Sequence, residues 1–191
     1  MKSVKGTQTE KNLLAAFAGE SQARNRYTFF AEKAREEGYE QIAAIFEETA
    51  DNEREHARRF FSFLPGGDVE IQAAYPAGVV GTTAANLKEA AAGEHMEWSK
   101  LYKEAADLAE KEGFKEVAYL FRAVSSVEVE HEKRYLKLLK TLTSGTVFKK
   151  GRTVTWKCRN CGYIYKGPSA PKRCPTCTYP QAYFELQAKN Y

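Results

Sequence analysis

Apolar residues recur every three or four positions along four long stretches of the chain, as on the buried face of an amphipathic helix. This pattern predicts helices over residues 7–38, 39–63, 83–111 and 115–142. Gly38 and the Leu64-Pro65-Gly66-Gly67 stretch are typical of helix ends. On the third helix the predicted inward positions are Leu87, Ala91, Glu94, Glu97, Leu101, Ala105 and Leu108.

The first two predicted helices and the last two repeat one another. Ala18-Gly19-Glu20 recurs as Ala92-Gly93-Glu94 at an offset of 74 residues. After a slip of one residue the offset is 75, and Gly38, Phe46, Glu53 and His56 correspond to Gly113, Phe121, Glu128 and His131. Two amphipathic hairpins bury their apolar faces together as a four-helix bundle, and the Gly- and Pro-rich residues 64–81 are long enough to connect them across it.

Two of the three histidines belong to Glu-x-x-His units, in which a carboxylate and an imidazole share one helix face. Each helix also carries a glutamate in its apolar stripe, and buried carboxylates are costly and repel one another. Ion pairs with Arg24 or Arg122 are an alternative, but they do not explain the matched histidines. We predict a dinuclear metal site with the ligands Glu20, Glu53, His56, Glu94, Glu97, Glu128 and His131.

Glu97 breaks the repeat, since its counterpart in the first half is Ala23. An additional carboxylate suggests that one metal exchanges a ligand as its charge changes, because oxygen ligands suit the more oxidised ion. The alternative is an ordinary glutamate beside the site. His95 directly follows a predicted ligand, so it points about 100° away and is not included.

Two tyrosines occupy matched positions near the predicted ligands. Tyr27 and Tyr102 lie two turns beyond Glu20 and Glu94. We expect them either to donate hydrogen bonds to ligand carboxylates or to be plain aromatic residues of the core.

Charge is unevenly distributed along the chain, whose net charge is +4. Residues 146–191 hold nine Lys or Arg and one acid, a net charge of +8, while the preceding residues hold 20 basic and 24 acidic side chains, a net charge of −4. The basic segment could contact nucleic acid, dock onto an acidic surface or simply be solvated. The polar N-terminus is unlike a secretory signal, and the longest uncharged stretch falls short of the roughly 20 apolar residues that span a bilayer, so we expect a cytoplasmic protein without a membrane contact.

All four cysteines lie in the basic segment, as two Cys-x-x-Cys pairs. In a chain without a signal peptide such pairs favour a metal site over disulfides. Each pair can hold one side of a tetrahedral ion, with Gly162 and Pro175 in the tight turns, and four thiolates suit either zinc or iron. The expected core of this small segment is aromatic: Trp156, Tyr163, Tyr165, Tyr183 and Phe184.

The pattern Cys158-x-x-Cys161-Gly162-Tyr163, followed by Cys174-Pro175-x-Cys177, resembles a rubredoxin, although the gap of 12 residues between the pairs is short for that family. With the helical repeat in front of it, essentially the whole chain resembles a rubrerythrin. The resemblance implies a mainly α protein: a ferritin-like four-helix bundle over residues 1–145 and a rubredoxin-like domain of short strands and loops over residues 146–191.

The resemblance also implies the metals and the activity. Rubrerythrins are peroxidases with a non-haem diiron centre, here the seven bundle ligands, and one further iron on four cysteines, here Cys158, Cys161, Cys174 and Cys177. In that family the carboxylate at the Glu97 position and the imidazole at the His56 position alternate as ligands of one iron, and tyrosines matching Tyr27 and Tyr102 lie beside the ligands. Family members form homodimers in which the rubredoxin-like domain of one subunit lies near the diiron site of the other.

We therefore expect an oxidoreductase that reduces hydrogen peroxide to water, with electrons relayed through the rubredoxin-like iron from an outside reductase or rubredoxin. The catalytic candidates are Glu97, His56, Tyr27 and Tyr102, with His56 the exchangeable imidazole and His131 the fixed one. Two alternatives stay open. An iron-oxidising protein of the ferritin-like class would use the same ligands without a relay, and a zinc-ribbon binding module would make the basic segment a nucleic-acid contact, which we do not expect.

Overall fold

A computed structural model of the chain describes residues 3–190, and four long helical rods dominate it. The helices are α1 (Gln8–Glu36), α2 (Glu40–Phe61), α3 (Thr83–Met96), α4 (Tyr102–Lys111) and α5 (Lys115–Thr143). A π-helical segment, Glu97–Leu101, joins α3 to α4, so these two form the third rod. The predicted four-helix bundle is confirmed, with one interruption that the periodicity did not predict.

The two hairpins turn in the same way, as the sequence repeat predicts. Gly38 and Gly113 both have positive φ, +81° and +87°, which glycine adopts without steric cost. In the first turn the Tyr39 N–H donates to the Ala34 carbonyl, and in the second the Phe114 N–H donates to the carbonyl five residues before it, both at 2.8 Å. These are the hydrogen bonds of a glycine-terminated helix end.

The bundle core consists of two apolar clusters with a polar layer between them. One cluster contains Phe60 and Phe121 and the other contains Phe30, Phe46 and Tyr135. Between them, four glutamates and one histidine are almost completely buried: Glu20, Glu53, Glu94, Glu128 and His131. The helices are therefore held together by apolar contacts on both sides of a charged layer.

Two of the predicted inward positions on the third rod are wrong. Leu101 is 48% exposed and Leu108 is only partly buried. The π segment places one additional residue in the rod, which rotates the following residues by about 100° relative to a regular helix. As a result Tyr102, Ala106 and Ala109 face the core instead.

The C-terminal segment forms a small antiparallel sheet. Its strands are β1 (Lys149–Cys158), β2 (Ile164–Ser169) and β3 (Phe184–Leu186), in the order β2-β1-β3. Trp156 and Phe184 are buried in its core together with two cysteines, and the Trp156 indole N–H donates to the Gly167 carbonyl at 3.0 Å. Tyr165, predicted for this core, is 37% exposed instead.

The sheet segment contacts the bundle at the turn between α1 and α2. The rings of Tyr39 and Phe148 stack with their centroids 6.1 Å apart and 7° between their planes. A Cβ placed on Gly38 would lie 3.8 Å from the side chain of Ala182. The boundary between residues 145 and 146 falls in the turn between α5 and β1, and independent folding of the two parts stays a prediction.

The connection between the hairpins, residues 62–82, is tied to α1. The Tyr75 hydroxyl donates to the Ala15 carbonyl at 2.8 Å, so this long connection runs along the outside of the first helix. None of the helices in the described part of the chain combines the length and the apolar content needed to cross a bilayer.

Candidate metal centres

The glutamates and histidines of the polar layer form two overlapping groups. Within each group, one side-chain N or O atom per residue lies within 4.8 Å of the others. Glu53 and Glu128 belong to both groups, and each group adds one further glutamate and one histidine. The first group is Glu20, Glu53, His56 and Glu128, and the second is Glu53, Glu94, Glu128 and His131.

Each shared carboxylate presents one oxygen to each histidine. Glu53 Oε2 lies 2.9 Å from His56 Nδ1, and Glu53 Oε1 lies 3.3 Å from His131 Nδ1. Glu128 Oε1 lies 3.0 Å from His56 Nδ1, and its Oε2 lies 2.7 Å from His131 Nδ1. This is the geometry of two carboxylates that each bridge a pair of neighbouring positions.

The outer glutamates complete the two positions. Glu20 Oε2 lies 3.8 Å from His56 Nδ1, and Glu94 Oε1 lies 4.0 Å from His131 Nδ1. Each position thus has one imidazole nitrogen, one carboxylate of its own and one oxygen from each shared carboxylate.

Most of these atoms have no hydrogen-bond partner among the residues that the structure describes. Both oxygens of Glu53 and Glu128, one oxygen of Glu20 and Nδ1 of both histidines are buried without a hydrogen bond of normal geometry, although the carboxylate oxygens of Glu53 and Glu128 lie 2.7–3.3 Å from the imidazole nitrogens. Unpaired buried carboxylates carry a large desolvation cost. Two bound cations would satisfy these convergent oxygen and nitrogen lone pairs, so the donor set fits a dinuclear site.

Each of the two outer glutamates is bonded by a tyrosine from the opposite half of the bundle. The Tyr27 hydroxyl donates to Glu94 Oε1 and the Tyr102 hydroxyl donates to Glu20 Oε1, both at 2.5 Å. Burial is the main cause that raises the pKa of both phenols, and the neighbouring glutamates add to it. Both tyrosines therefore stay protonated and remain donors.

Glu97 belongs to neither group. It lies on the π segment, is partly accessible, and lines a cavity of about 800 Å³ between α1, the third rod and residues 72–76. Burial raises the pKa of its carboxyl, the charges of Glu20 and Glu128 raise it further, and Arg26 opposes them. The structure thus places the predicted additional ligand in the lining of a mostly apolar cavity and outside both groups.

Asn52 is a contact of the site that sequence reasoning missed. Its Oδ1 lies 3.3 Å from His131 Nε2, so with Nδ1 facing the cluster the imidazole can donate its other N–H to the amide oxygen. The counterpart of Asn52 at the 75-residue offset is Val127, which has no polar side-chain atom to offer His56. A comparison of the two halves at that offset could have revealed this difference.

The four cysteines converge at the end of the sheet segment. Their sulfurs lie within 4.8 Å of one another, with 3.5 Å between Cys161 and Cys174 and 3.8 Å between Cys158 and Cys177. Sulfurs around one tetrahedral ion with bonds of about 2.3 Å are separated by about 3.8 Å. The four thiols therefore fit one metal ion.

Both cysteine turns are built alike. The Gly162 N–H donates to the Cys158 carbonyl and the Thr178 N–H donates to the Cys174 carbonyl, each at 2.9 Å. Gly162 and Thr178 both have positive φ, so the second turn places a threonine where the first has glycine. Although burial opposes it, hydrogen bonds from Asn160 and a backbone N–H lower the pKa of the Cys177 thiol to about 6, which favours the thiolate that binds metal.

Comparisons with known proteins agree with this arrangement. Residues 11–139 match the rubrerythrin family model, and residues 156–185 match the model for the rubredoxin-like domain of rubrerythrin. A rubrerythrin of Porphyromonas gingivalis is 60% identical over 190 residues, covering 100% of this chain and 95% of that protein.

Solved structures are similar over both segments or over the bundle. Nigerythrin in its fully reduced, all-ferrous state is 32% identical with a TM-score of 0.63, over 98% of this chain and 88% of that one. An open-pore ferritin from Archaeoglobus fulgidus shares the fold, at 18% identity and a TM-score of 0.61, over 73% of this chain and 88% of that one. The predicted ferritin-like bundle with a small cysteine-containing strand segment is confirmed.

Metal binding to the bundle should strengthen as the pH rises. Burial raises the pKa of the Glu20 carboxyl to about 8, and despite burial the carboxylates of Glu128 and Glu53 raise the pKa of His131 to about 9. Below these values the ligands hold protons that a metal must displace, so affinity should increase between about pH 6 and pH 9 with release of protons. Co²⁺ titrations of protein whose cysteine site is already filled measure the affinity, and a pH-indicator dye in the same titrations measures the protons released. Equal affinity across this range without proton release would contradict the expectation.

Removing the Asn52 side chain should weaken one of the two bundle sites. Asn52→Ala deletes the acceptor that orients His131, and we expect about tenfold weaker binding of one of two Co²⁺ ions. The matched control is Val127→Ala, at the equivalent position of the other half, which should leave both affinities unchanged. Equal losses in both variants would show that the effect comes from packing and not from the hydrogen bond.

Proposed function

This chain belongs to the rubrerythrin family, and we propose that it is a non-haem diiron peroxidase that reduces hydrogen peroxide to water. Family membership and the two side-chain clusters confirm the predicted cofactors, a dinuclear iron site with carboxylate and histidine ligands and a four-cysteine iron site. The observation that carries the proposal is the presence, in one chain, of a two-ion site beside an apolar cavity and of a separate one-electron site.

We assign the ligands from the distances between side chains. Glu20 and His56 would hold one iron, and Glu94 and His131 the other. Glu53 and Glu128 would bridge the two ions, since each presents one oxygen to each histidine. The single iron of the strand segment would be held by Cys158, Cys161, Cys174 and Cys177.

The bundle residues support a two-electron reduction. When bound, two ferrous ions together supply the two electrons that cleave the O–O bond, and with two protons one hydrogen peroxide becomes two waters. Glu97 lines the cavity, where its carboxyl, when protonated, could give a proton to a departing oxygen. When deprotonated, the same carboxylate would offer an oxygen ligand suited to the more oxidised ion, as an alternative to His56, while the contact with Asn52 would keep His131 in position.

Tyr27 and Tyr102 would keep the outer ligands oriented through this cycle. Tyr102 donates to the oxygen of Glu20 that points away from His56, and Tyr27 donates to the Glu94 oxygen that lies 4.0 Å from His131. The two bonds cross between the halves of the bundle, so they also fix the spacing of the two ion positions.

Electron supply requires a second subunit in this proposal. The contact of the strand segment with its own bundle is at the turn after α1, about 24 Å along the helix axis from Glu20. Electron transfer slows steeply with distance, so a homodimer that brings one subunit's cysteine iron near the partner's dinuclear site is the better route. The outside donor would be a reductase or a rubredoxin, and the predicted cytoplasmic location stays a prediction.

An iron-oxidising role is the second candidate, because the fold of the bundle resembles that of a ferritin. An iron-oxidising protein would use the same clustered ligands, but its reaction would not require the cysteine site. A zinc-ribbon module would leave the buried carboxylates of the bundle unexplained.

The proposed activity is tested with protein purified without oxygen and containing iron at both sites. After full reduction, hydrogen peroxide should restore the colour of the cysteine iron with one peroxide consumed for every two electrons, and faster than air does. A spin trap should detect no hydroxyl radical. Slow reaction with peroxide, together with uptake of ferrous iron beyond the three bound ions, would favour iron oxidation instead.

Glu97→Ala should slow peroxide turnover by about tenfold or more while the bundle keeps its fold. The substitution removes a carboxyl group that would donate a proton and interact with the bound iron, and alanine can do neither. The control is Glu104→Ala, which removes an exposed carboxylate in the first turn of α4 that also lines the cavity. Circular dichroism reports on the fold, and stopped-flow absorption reports on turnover. Unchanged turnover in Glu97→Ala would refute the role of this residue.

A further inference from the structure

The π segment that carries Glu97 has an unusual backbone. The Tyr102 N–H donates to the Glu97 carbonyl, five residues earlier, where a regular helix would use the carbonyl of Trp98. Such a wide turn is rare and leaves a backbone acceptor that needs another partner. Something outside the rod must therefore stabilise this turn.

Ser125 of α5 provides that partner. Its hydroxyl donates to the Trp98 carbonyl at 3.3 Å, in a partly buried position. The acceptor is the carbonyl that the wide turn bypasses, so a side chain of the neighbouring helix replaces a hydrogen bond of the rod itself.

Glu132 of α5 holds the side chain of the same tryptophan. Its Oε2 accepts from the Trp98 indole N–H at 2.6 Å, and its Oε1 lies 3.1 Å from His95 Nδ1. The rings of His95 and Trp98 meet edge to face with their centroids 4.9 Å apart. One carboxylate thus ties residues on both sides of Glu97 to α5, directly after the predicted ligand His131.

These contacts are absent from the other half of the repeat. At the 75-residue offset Ser125 corresponds to Ala50 and Glu132 corresponds to Ala57, neither of which has a polar side-chain atom. In that half α1 is a continuous α-helix, and it has no counterpart of Glu97. The polar pair on α5 therefore accompanies the wide turn and the additional carboxylate.

We propose that Ser125 and Glu132 are positioning residues: by holding Trp98 they keep the π segment in its wide turn and so direct Glu97 to the dinuclear site. If the turn relaxed to a regular helix, Glu97 would rotate by about 100° relative to the residues that follow it. This inference rests on the proposed function only in taking Glu97 as a group that interacts with the bound iron.

The test uses full-length protein with iron at both sites and two mild variants, Ser125→Ala and Trp98→Phe. The second keeps an aromatic ring but loses the N–H donor. Ser126→Ala is the matched control, because the Ser126 hydroxyl also bonds a backbone carbonyl, that of Ala123 at 2.7 Å, but within α5 itself. Spectroelectrochemical titration of the dinuclear iron, which needs no peroxide, gives the ratio of ferric to ferrous form at a fixed applied potential.

We expect Ser125→Ala and Trp98→Phe to lower that ratio by up to about tenfold, in the same direction as Glu97→Ala, because a carboxylate near the ions favours the ferric form. Ser126→Ala should leave it unchanged. In a Glu97→Ala background, Trp98→Phe should have no further effect, since the two changes would then remove the same interaction.

Two results would overturn the proposal: a wild-type ratio in both variants, or an effect of Trp98→Phe that persists undiminished without Glu97. Far-ultraviolet circular dichroism and the colour of the cysteine iron check that each variant is folded. Because the titration does not depend on peroxide, a wild-type protein that failed to reduce peroxide would refute the proposed function and leave this inference standing.

Discussion

Four carboxylates have to be kept away from water in the middle of a helical bundle, and the rest of the structure depends on that constraint. Apolar clusters pack on both sides of the charged layer, and the four glutamates between them are at most 1% exposed. Two tyrosines satisfy one oxygen each, and two imidazoles face the remainder. The balance of charge is left to bound cations, so the conformation of the bundle and its metal content are thermodynamically linked.

Duplication of one hairpin supplies two nearly equivalent ion positions, and a few departures make them unequal. Asn52 supports His131 where Val127 offers nothing to His56, and Glu97 has no counterpart in the first half. Under the proposed function, these departures would give the ion beside His131 a fixed environment and the ion beside His56 a variable one. A nearly symmetric scaffold thus provides two neighbouring ion positions, and the asymmetric residues would make their surroundings different.

The features that could be predicted from the sequence are the ones with a local pattern. Helical periodicity, the offset of the repeat and the Cys-x-x-Cys spacing depend on near neighbours, and the helices and both clusters follow from them. The only trace of the wide turn in the sequence is the change of the repeat offset from 74 to 75 residues. This change shows that one residue is added but not how the helix accommodates it. For that reason the inward positions predicted for Leu101 and Leu108 were wrong. Pairings across helices, such as His131 with Asn52 at a separation of 79 residues, depend on how the helices are arranged in space.

The strand segment contacts the tip of the first hairpin through the stacked rings of Tyr39 and Phe148, while Glu20 and Glu53 lie nearer the middle of the same hairpin. The separation between the two kinds of metal site is therefore set by helix length, independently of any ligand. One additional turn at the tip end of α1 and α2 would move the contact with the strand segment about 5.4 Å outward and leave the metal-binding residues of the bundle in place. The length of the first hairpin thus determines how far the strand segment lies from the carboxylate layer of its own bundle.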